Sequence, residues 1–498
     1  MNALITLIVV LGVPGVLPAL AVARRSPAVV FLAPLAGALM AAVAATIELG
    51  IAGSLLADYV IVAVLVNAAV IAWWLRSRSS AQSPAPWRWG WGWLIITAAG
   101  VLGGAAIPLA ALRAPFIGWD GNSIWLMHAL MAYGGHHAYL AGLQNVADRF
   151  DNPDYPPLIP AAIALTFRLF GVGNLHLGAV MTALLTACGL GVVGTGLATA
   201  VSRAGTVSRA GTVSRASTVA RVAAIAAGGA LCVAGFGVGW SYAVGGYVDL
   251  MWTAAAVSAV IWGLVLPPGR QALGVAWICA AVASLSKNEG LTTALIMLAL
   301  ISLRYRPLTM PGPQLRRWAE RVLLVLVPAL PGLAWAGLIH LLGIHDNFFA
   351  SPSTESVTMR AEATAAGMAG HLPVAPVAIA VLLVGSVFLR GRRERAGLGN
   401  PLWLWGTCLA YLAVLFVTYV HGSLEIHWWL MDSVNRTTDF AQVVLFADLA
   451  LWLIIAVDEA FSRADDEPMT SGYADGKDTA GTLGAPAASG RDMSPTAP

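Results

Sequence analysis

Three clusters of ionisable and aromatic residues interrupt a chain that is otherwise almost all hydrocarbon. The first is Gly118-Trp119-Asp120-Gly121, which opens a polar island running from Arg113 to the segment Asp154-Tyr155-Pro156-Pro157. A carboxylate such as Asp120 can take a proton from a hydroxyl. An acid beside a tryptophan at a membrane surface also serves as a helix cap or an interfacial anchor. The second cluster is Tyr247 and Asp249 with Lys287-Asn288-Glu289-Gly290. Ionisable groups at membrane depth are costly unless they face water or pair with one another. These residues therefore either line a site, or Lys287 pairs with Glu289 or Asp249 to fix helix packing. The third holds Glu425, His427, Trp428, Trp429, Asp432, Ser433, Asn435 and Arg436. An aromatic belt accounts for its tryptophans but not for Arg436 near an outer membrane edge. A metal site built from His136, His137 and the aspartates Asp148, Asp151 and Asp154 is conceivable, but adjacent histidines point apart and do not form an i, i+4 chelating pair.

The elements that must carry these residues are membrane helices. With 58% hydrophobic and 11% charged residues in 498, and a mean hydropathy of +0.76, the chain lies far from soluble domains, which are about a quarter charged. Apolar stretches long enough to cross a bilayer recur along most of it. The net charge of +3 is made by short basic loops, and no basic stripe suited to nucleic acid appears. Cys188, Cys232, Cys279 and Cys408 all fall in apolar segments without metal-like spacing, which excludes a disulfide framework or a zinc site. Of 28 basic residues only Lys287 and Lys477 are lysines, so a lysine inside the membrane region stands out.

Loop charge sets the expected topology. Residues 2–23 lack a positive leader and read as a retained helix, and Arg24-Arg25 places the following loop in the cytoplasm. Spans near 28–49, 54–75 and 92–112 then put the island outside. The arginine-rich repeat Ser202-Arg203-Ala204-Gly205-Thr206-Val207 and its copies at Ser208 and Ser214 should be cytoplasmic. For parity to hold, 157–170 must be an interfacial or re-entrant helix packed against protein. Further spans are expected near 175–200, 222–240, 246–266, 271–286, 290–303, 322–343, 374–389, 401–420 and 439–457. The expected fold is all-α and polytopic, with about 13 transmembrane helices, the N-terminus outside and the C-terminus inside. Residues 1–91 form N-terminal helices, 92–457 the main domain with outer loop 113–157, and 458–498 a disordered cytoplasmic tail. Within the island, Ile124, Trp125, His128, Ala129 and Met131 lie at helical spacing, so 121–133 should be a short amphipathic helix ended by Gly134-Gly135.

These motifs, in this order, resemble the GT-C glycosyltransferases, multispanning enzymes that use polyprenyl-phosphate sugars and include the protein mannosyltransferases and the lipid A aminoarabinose transferase. Gly-Trp-Asp after an early helix, a tryptophan-bearing helix and Asp154-Tyr155-Pro156-Pro157 look like their first outer loop. Bacterial members are more similar still: there a Gly-Tyr-x-Asp (here Gly246-Tyr247-Val248-Asp249), a Lys-Asn-Glu-Gly turn (Lys287 to Gly290) and a late Trp- and His-rich segment ending in arginine (His427 to Arg436) follow in turn. The likeness covers roughly residues 92 to 457. Three helices precede the loop where the better-known enzymes have one, and Gly121 and His128 stand where relatives often have alanine and lysine. The resemblance implies inverting transfer of a sugar from a polyprenyl-phosphate donor to an envelope glycan, lipid or protein on the outer face of the bacterial cytoplasmic membrane. Asp120 would be the base. Lys287 and Arg436 would stabilise the departing phosphate, with Arg149 as a further phosphate contact. Trp119, Asp154, Tyr155, Asp249, Glu289 and His427 would bind sugar or orient those groups. The resemblance makes no cofactor certain, and dependence on a divalent metal stays open. The rival expectations are a transporter or lipid flippase, against which stands the absence of internal symmetry, and a structural envelope subunit.

Overall fold

The computed structural model describes residues 2–24, 26–77, 106–145, 147, 152–206, 239–305, 314–345, 353–395 and 397–466. Every regular element among the described residues is helical. Seven helical stretches are long and apolar enough to cross a membrane: Asn2–Ala23, Ala28–Ile51, Leu55–Arg76, His176–Ala200, Trp318–Leu341, Leu402–His421 and Ile426–Val457. An eighth is added if Val357–Gly370 and Ala375–Phe388, bent by 68°, make one broken span. The chain is a multi-pass helical membrane protein.

In chain order the elements are α1 (Asn2–Ala23), α2 (Ala28–Ile51), α3 (Leu55–Ser77), α4 (Met127–Gly134), α5 (His136–Gln144), α6 (Leu158–Phe170), α7 (His176–Thr206), α8 (Trp240–Val244) and α9 (Asp249–Val260). They continue with α10 (Arg270–Ser284), α11 (Asn288–Arg304), α12 (Gln314–Leu341), α13 (Val357–Gly370), α14 (Ala375–Phe388), α15 (Arg390–Arg395), α16 (Leu402–His421), α17 (Ile426–Thr437) and α18 (Asp439–Asp466). Short π-helical stretches lie within α1 (Thr6–Gly12), before α4 (Gly121–Leu126) and after α9 (Ile261–Val265).

The span count differs from the expectation of thirteen for two reasons. The expected spans near 92–112 and 222–240 fall largely outside the described residues, as do most of the repeat and the tail beyond Asp466. The remaining difference is physical. The apolar runs near 246–266, 271–286, 290–303 and 374–389 form helices of only 14 to 17 residues. Such helices are about 21–26 Å long, short of the roughly 30 Å hydrocarbon core. The stretch Asp249–Val265 has every residue buried, which makes it the centre of the bundle.

α6 has 13 residues, about 20 Å long, and every residue from Leu158 to Phe167 is buried. It packs on α2, α4 and α7, matching the expected helix held against protein. Helix 121–134 also forms, and Gly135, at φ +92°, turns the chain sharply into α5. Its apolar residues Ile124, Trp125, Ala129 and Ala132 are buried against α6 and its neighbours, so protein rather than lipid covers this face.

The first helices belong to the same body as the polar island. α2 packs on α1, α6, α7 and α10. Close approach of α1 and α2 rests on small residues, the usual contact where lipid offers no hydrophobic drive. A Cβ on Gly37 would stand 2.0 Å from the Leu11 carbonyl oxygen.

On the far flank, Arg360 of α13 is buried and joins three elements. Its guanidinium donates to the carbonyls of Tyr419 (2.5 Å), Val420 (2.9 Å) and Leu424 (2.7 Å) at the end of α16, and to Glu355 Oε2 (2.5 Å). Glu355 Oε2 in turn accepts the amide of Ile426 (3.1 Å) at the start of α17. One ion pair thus satisfies helix-end carbonyls on one side and a helix-start amide on the other. Arg360→Met is expected to lower stability by about 3–5 kcal/mol, because Glu355 loses its counter-ion and the carbonyls of Tyr419, Val420 and Leu424 lose the guanidinium. Thermal unfolding in detergent measures this, and an unchanged midpoint would refute it.

Candidate active site

Two glycine pairs bring the first two motifs into backbone contact. The Gly118 amide donates to the Gly245 carbonyl at 2.9 Å. A Cβ on Gly121 would lie 2.2 Å from that same carbonyl oxygen, and one on Gly118 would lie 2.2 Å from the Tyr247 ring. Both glycines beside Asp120 are therefore explained by the segment they meet. Gly246 adopts φ +87°, a conformation side chains resist, and aims Tyr247 and Asp249 toward the island. Gly121→Ala forces backbone apart and is expected to cost about 1–3 kcal/mol, again visible as a lowered unfolding midpoint. An unaltered midpoint would mean that the two backbones are not in contact.

The closing segment of the island is pinned as firmly. The Leu158 amide donates to the Leu285 carbonyl (3.0 Å), Asn288 Nδ2 to Asp154 Oδ2 (2.6 Å) and Trp335 Nε1 to the Asp154 carbonyl (2.8 Å). Tyr155 stacks on Trp125 with ring centroids 5.4 Å apart and lies under Lys287 Nζ at 5.6 Å. The Asp-Tyr-Pro-Pro segment and the Lys-Asn-Glu-Gly turn thus form one side of the site.

At the centre is Asp249, only 1% exposed. Its Oδ1 accepts Lys287 Nζ at 2.8 Å, and its Oδ2 lies 3.7 Å from Arg436 Nη1. Lys287 also contacts Glu289 Oε1 at 3.2 Å, so both ion pairs considered from the sequence are present. Arg436 Nη1 donates to Asp120 Oδ2, while Nη2 reaches Asp432 Oδ2 at 3.2 Å. The Arg436 guanidinium also sits over the rings of Tyr247 (5.3 Å) and Tyr242 (5.8 Å), and Asn435 Nδ2 donates to the Tyr242 hydroxyl at 2.7 Å. Two cations and four carboxylates from four separate segments make one network. Burial pushes the Asp120 carboxyl above its ordinary range, and the Arg436 guanidinium opposes that shift.

Trp119, Asp120, Tyr155, Lys287, Glu289 and Arg436 line a cavity of about 640 Å³. The lining also takes in Tyr411, Val414, Leu415, Thr418 and Tyr419 from one face of the membrane-spanning α16, and Leu424, Trp428 and Trp429. The cavity is thus bounded by charged side chains and by apolar ones, and Trp119, 77% exposed, is part of its lining. Comparison with protein-family models, with curated proteins and with solved structures finds no match. The geometry alone carries the functional reading.

Not every expected residue reaches the cavity. Asp154 and Asp249 lie behind its lining and act by holding Asn288, Lys287 and Arg436. His427 is exposed near the start of α17 and outside the lining, its amide donating to Glu425 Oε1 (3.0 Å). Glu425 Oε2 takes the Trp428 amide (2.6 Å), and these amides hold the Glu425 carboxyl below its usual range. Arg149 lies outside the described residues. His136 Nδ1 meets the Glu48 carbonyl at 2.9 Å with His137 edge-on to it, and no group of three metal-ligating side chains gathers among the described residues.

Tyr242, Tyr411 and Tyr419 join the site without having been singled out as site residues, and Asp432, named in the third cluster but given no role, joins it as a partner of Arg436. Tyr411 and Tyr419 sit on a helix that reads as an ordinary span. Their hydroxyls bond the Thr437 carbonyl (2.7 Å) and Ser433 Oγ (2.7 Å), clamping α16 to α17. The spacing of Tyr411, Leu415, Thr418 and Tyr419 along one helical face was the available signal.

Proposed function

We propose that the protein is a GT-C-type glycosyltransferase that moves a sugar from a polyprenyl-phosphate donor to an envelope glycan, lipid or protein acceptor on the outer face of the bacterial cytoplasmic membrane. The observation that carries the reading is a cavity whose lining holds the carboxylate of Asp120 and the two cations Lys287 and Arg436 together with apolar side chains of the membrane-spanning α16. An amphiphile with an anionic head and a hydrocarbon chain suits such a lining. The ordered motif resemblance supports the same class, with its fuller complement of spans and its outward-facing site.

In the proposed reaction the acceptor oxygen bonds to the anomeric carbon as the bond from that carbon to the phosphate oxygen breaks. The bonding pair leaves with the polyprenyl phosphate, and the hydroxyl proton passes to Asp120. Lys287 and Arg436 meet the charge that develops on the leaving phosphate. Asp249 keeps both cations in place.

The test is incorporation of radiolabelled sugar from polyprenyl-phosphate donors into envelope acceptors by membranes with and without the protein. Incorporation that requires the protein supports transfer. Movement of the labelled lipid across the bilayer without any new glycosidic bond would favour a flippase and overturn the reading. The pH profile adds a second check. A base must be unprotonated, and burial raises the Asp120 carboxyl, so the acidic limb of kcat/KM should lie above the ordinary carboxylate range. A limb within that range would argue against Asp120 as the base.

A further inference from the structure

The arginine that should receive the donor phosphate is already occupied. Arg436 presents Nη1 to Asp120 and Nη2 to Asp432, the two nitrogens a phosphate would take as a fork. Lys287 is likewise held by Asp249 and Glu289. An arriving anion must therefore displace a carboxylate. Asp249 is buried at the rear, and Asp432 sits on the same helix as Arg436, one turn earlier, with its side chain 55% exposed. The half-exposed Asp432 carboxylate can turn to water when the pair opens, but its release alone frees only one nitrogen of the buried Arg436. Asp120 comes from a different segment, lines the cavity and occupies the nitrogen nearest Asp249.

We infer that the Asp120–Arg436 ion pair is a resting lock that a phosphate head group opens, so that donor binding to Arg436 is what releases Asp120 to act as the base. The inference rests on the glycosyltransferase reading and adds an order of events. Before the donor binds, the guanidinium pairs with the carboxylate and opposes its taking a proton. Once phosphate takes Nη1, Asp120 is left without that counter-ion, and its affinity for the acceptor proton rises further. The acceptor hydroxyl is then activated only when a donor is present, which predicts donor-first binding. A carboxylate and a phosphate compete for one guanidinium, and the competition has a counter-intuitive consequence. Removing the charge of the catalytic carboxylate should strengthen donor-head binding while destroying catalysis.

The experiment measures binding of polyprenyl monophosphate to the full-length protein in detergent, with polyprenol and inorganic phosphate as parallel arms. Quenching of the cavity tryptophans, or native mass spectrometry, gives the affinity. Wild type should bind polyprenyl monophosphate more weakly at high salt, and Asp120→Asn should bind it about tenfold tighter or more, the effect of a coupling near 1.4 kcal/mol. Asp432→Asn, which leaves the contact of Asp120 with Nη1 in place, should change the affinity less than threefold. Polyprenol should bind both proteins alike, which assigns the gain to the head group. Inorganic phosphate showing the same gain would mean that free phosphate opens the lock; no gain with it would mean that the lipid chain is needed. Either result upholds the exchange. Equal or weaker binding of polyprenyl monophosphate by Asp120→Asn overturns the lock and leaves the transferase reading intact. No binding by wild type overturns both. Should Asp120→Asn fail to fold, infrared difference spectra of wild type decide the matter. Polyprenyl monophosphate, but not polyprenol, should change a carboxylate band that Asp120→Glu shifts, and an unchanged band overturns the proposal.

Discussion

Asp120→Asn is expected to lower sugar transfer by about a thousandfold, the middle of the range for loss of a positioned general base, with the protein still folded. Asparagine keeps the shape of the side chain and can still accept a hydrogen bond from Arg436. It cannot take a proton at any accessible pH. Donor-dependent incorporation of labelled sugar, measured at equal protein in reconstituted membranes, is the assay. Transfer within a few fold of wild type would remove Asp120 from the mechanism. The substitution also separates base from anchor. If Asp120 served only to hold Arg436, then Asp120→Glu, which keeps the charge but moves the carboxyl outward, should retain most activity. Under the catalytic reading it should lose much of it, since a displacement near 1 Å at the reacting atom is itself costly.

The second large effect is expected at Asp249. Asp249→Asn leaves Lys287 and Arg436 facing each other across a buried centre with their shared counter-ion gone. Breaking a buried pair in this way costs about 3–5 kcal/mol, and the unfolding midpoint should fall accordingly. The informative variant is the double one. Asp249→Asn with Lys287→Met removes a charge of each sign, so much of the stability should return, while transfer should not, because Lys287 is also needed at the leaving phosphate. Recovery of transfer together with stability would show that the pair is only structural.

Much of this arrangement was legible in the chain because each motif carries its own anomaly. Lys287 is one of two lysines in a chain of arginines, and Asp249 and Glu289 are acids among apolar runs. Charge parity required 157–170 not to cross, and α6 is a short helix enclosed by protein. Pairings were less legible. Asp120 and Arg436 meet across almost the whole transmembrane region, and nothing periodic links them. Periodicity also reports apolar faces without saying what covers them. The stretches 246–266 and 271–286 read as spans because they are mostly apolar, yet their helices are short and are covered largely by neighbouring helices. Arg360 is a different case. The sequence places it in a segment expected to be a loop, where an arginine is ordinarily solvated, and only the positions of the ends of α16 and α17 show why it is buried.

The glycine seam between Gly118-Gly121 and Gly245-Gly246 has a consequence for how such a protein can be altered. Two stretches far apart in the chain meet there main chain to main chain, leaving little side-chain volume through which a mismatch could be absorbed. The loop that carries Gly118 to Gly121 and the Tyr247–Asp249 segment therefore behave as halves of a single casting. A chimera that imports residues 113–157 from another protein must import 245–249 with them, and any drift in one half is tolerated only if the other drifts to match. The unit on which variation acts here is the joined pair, and neither loop is a module by itself.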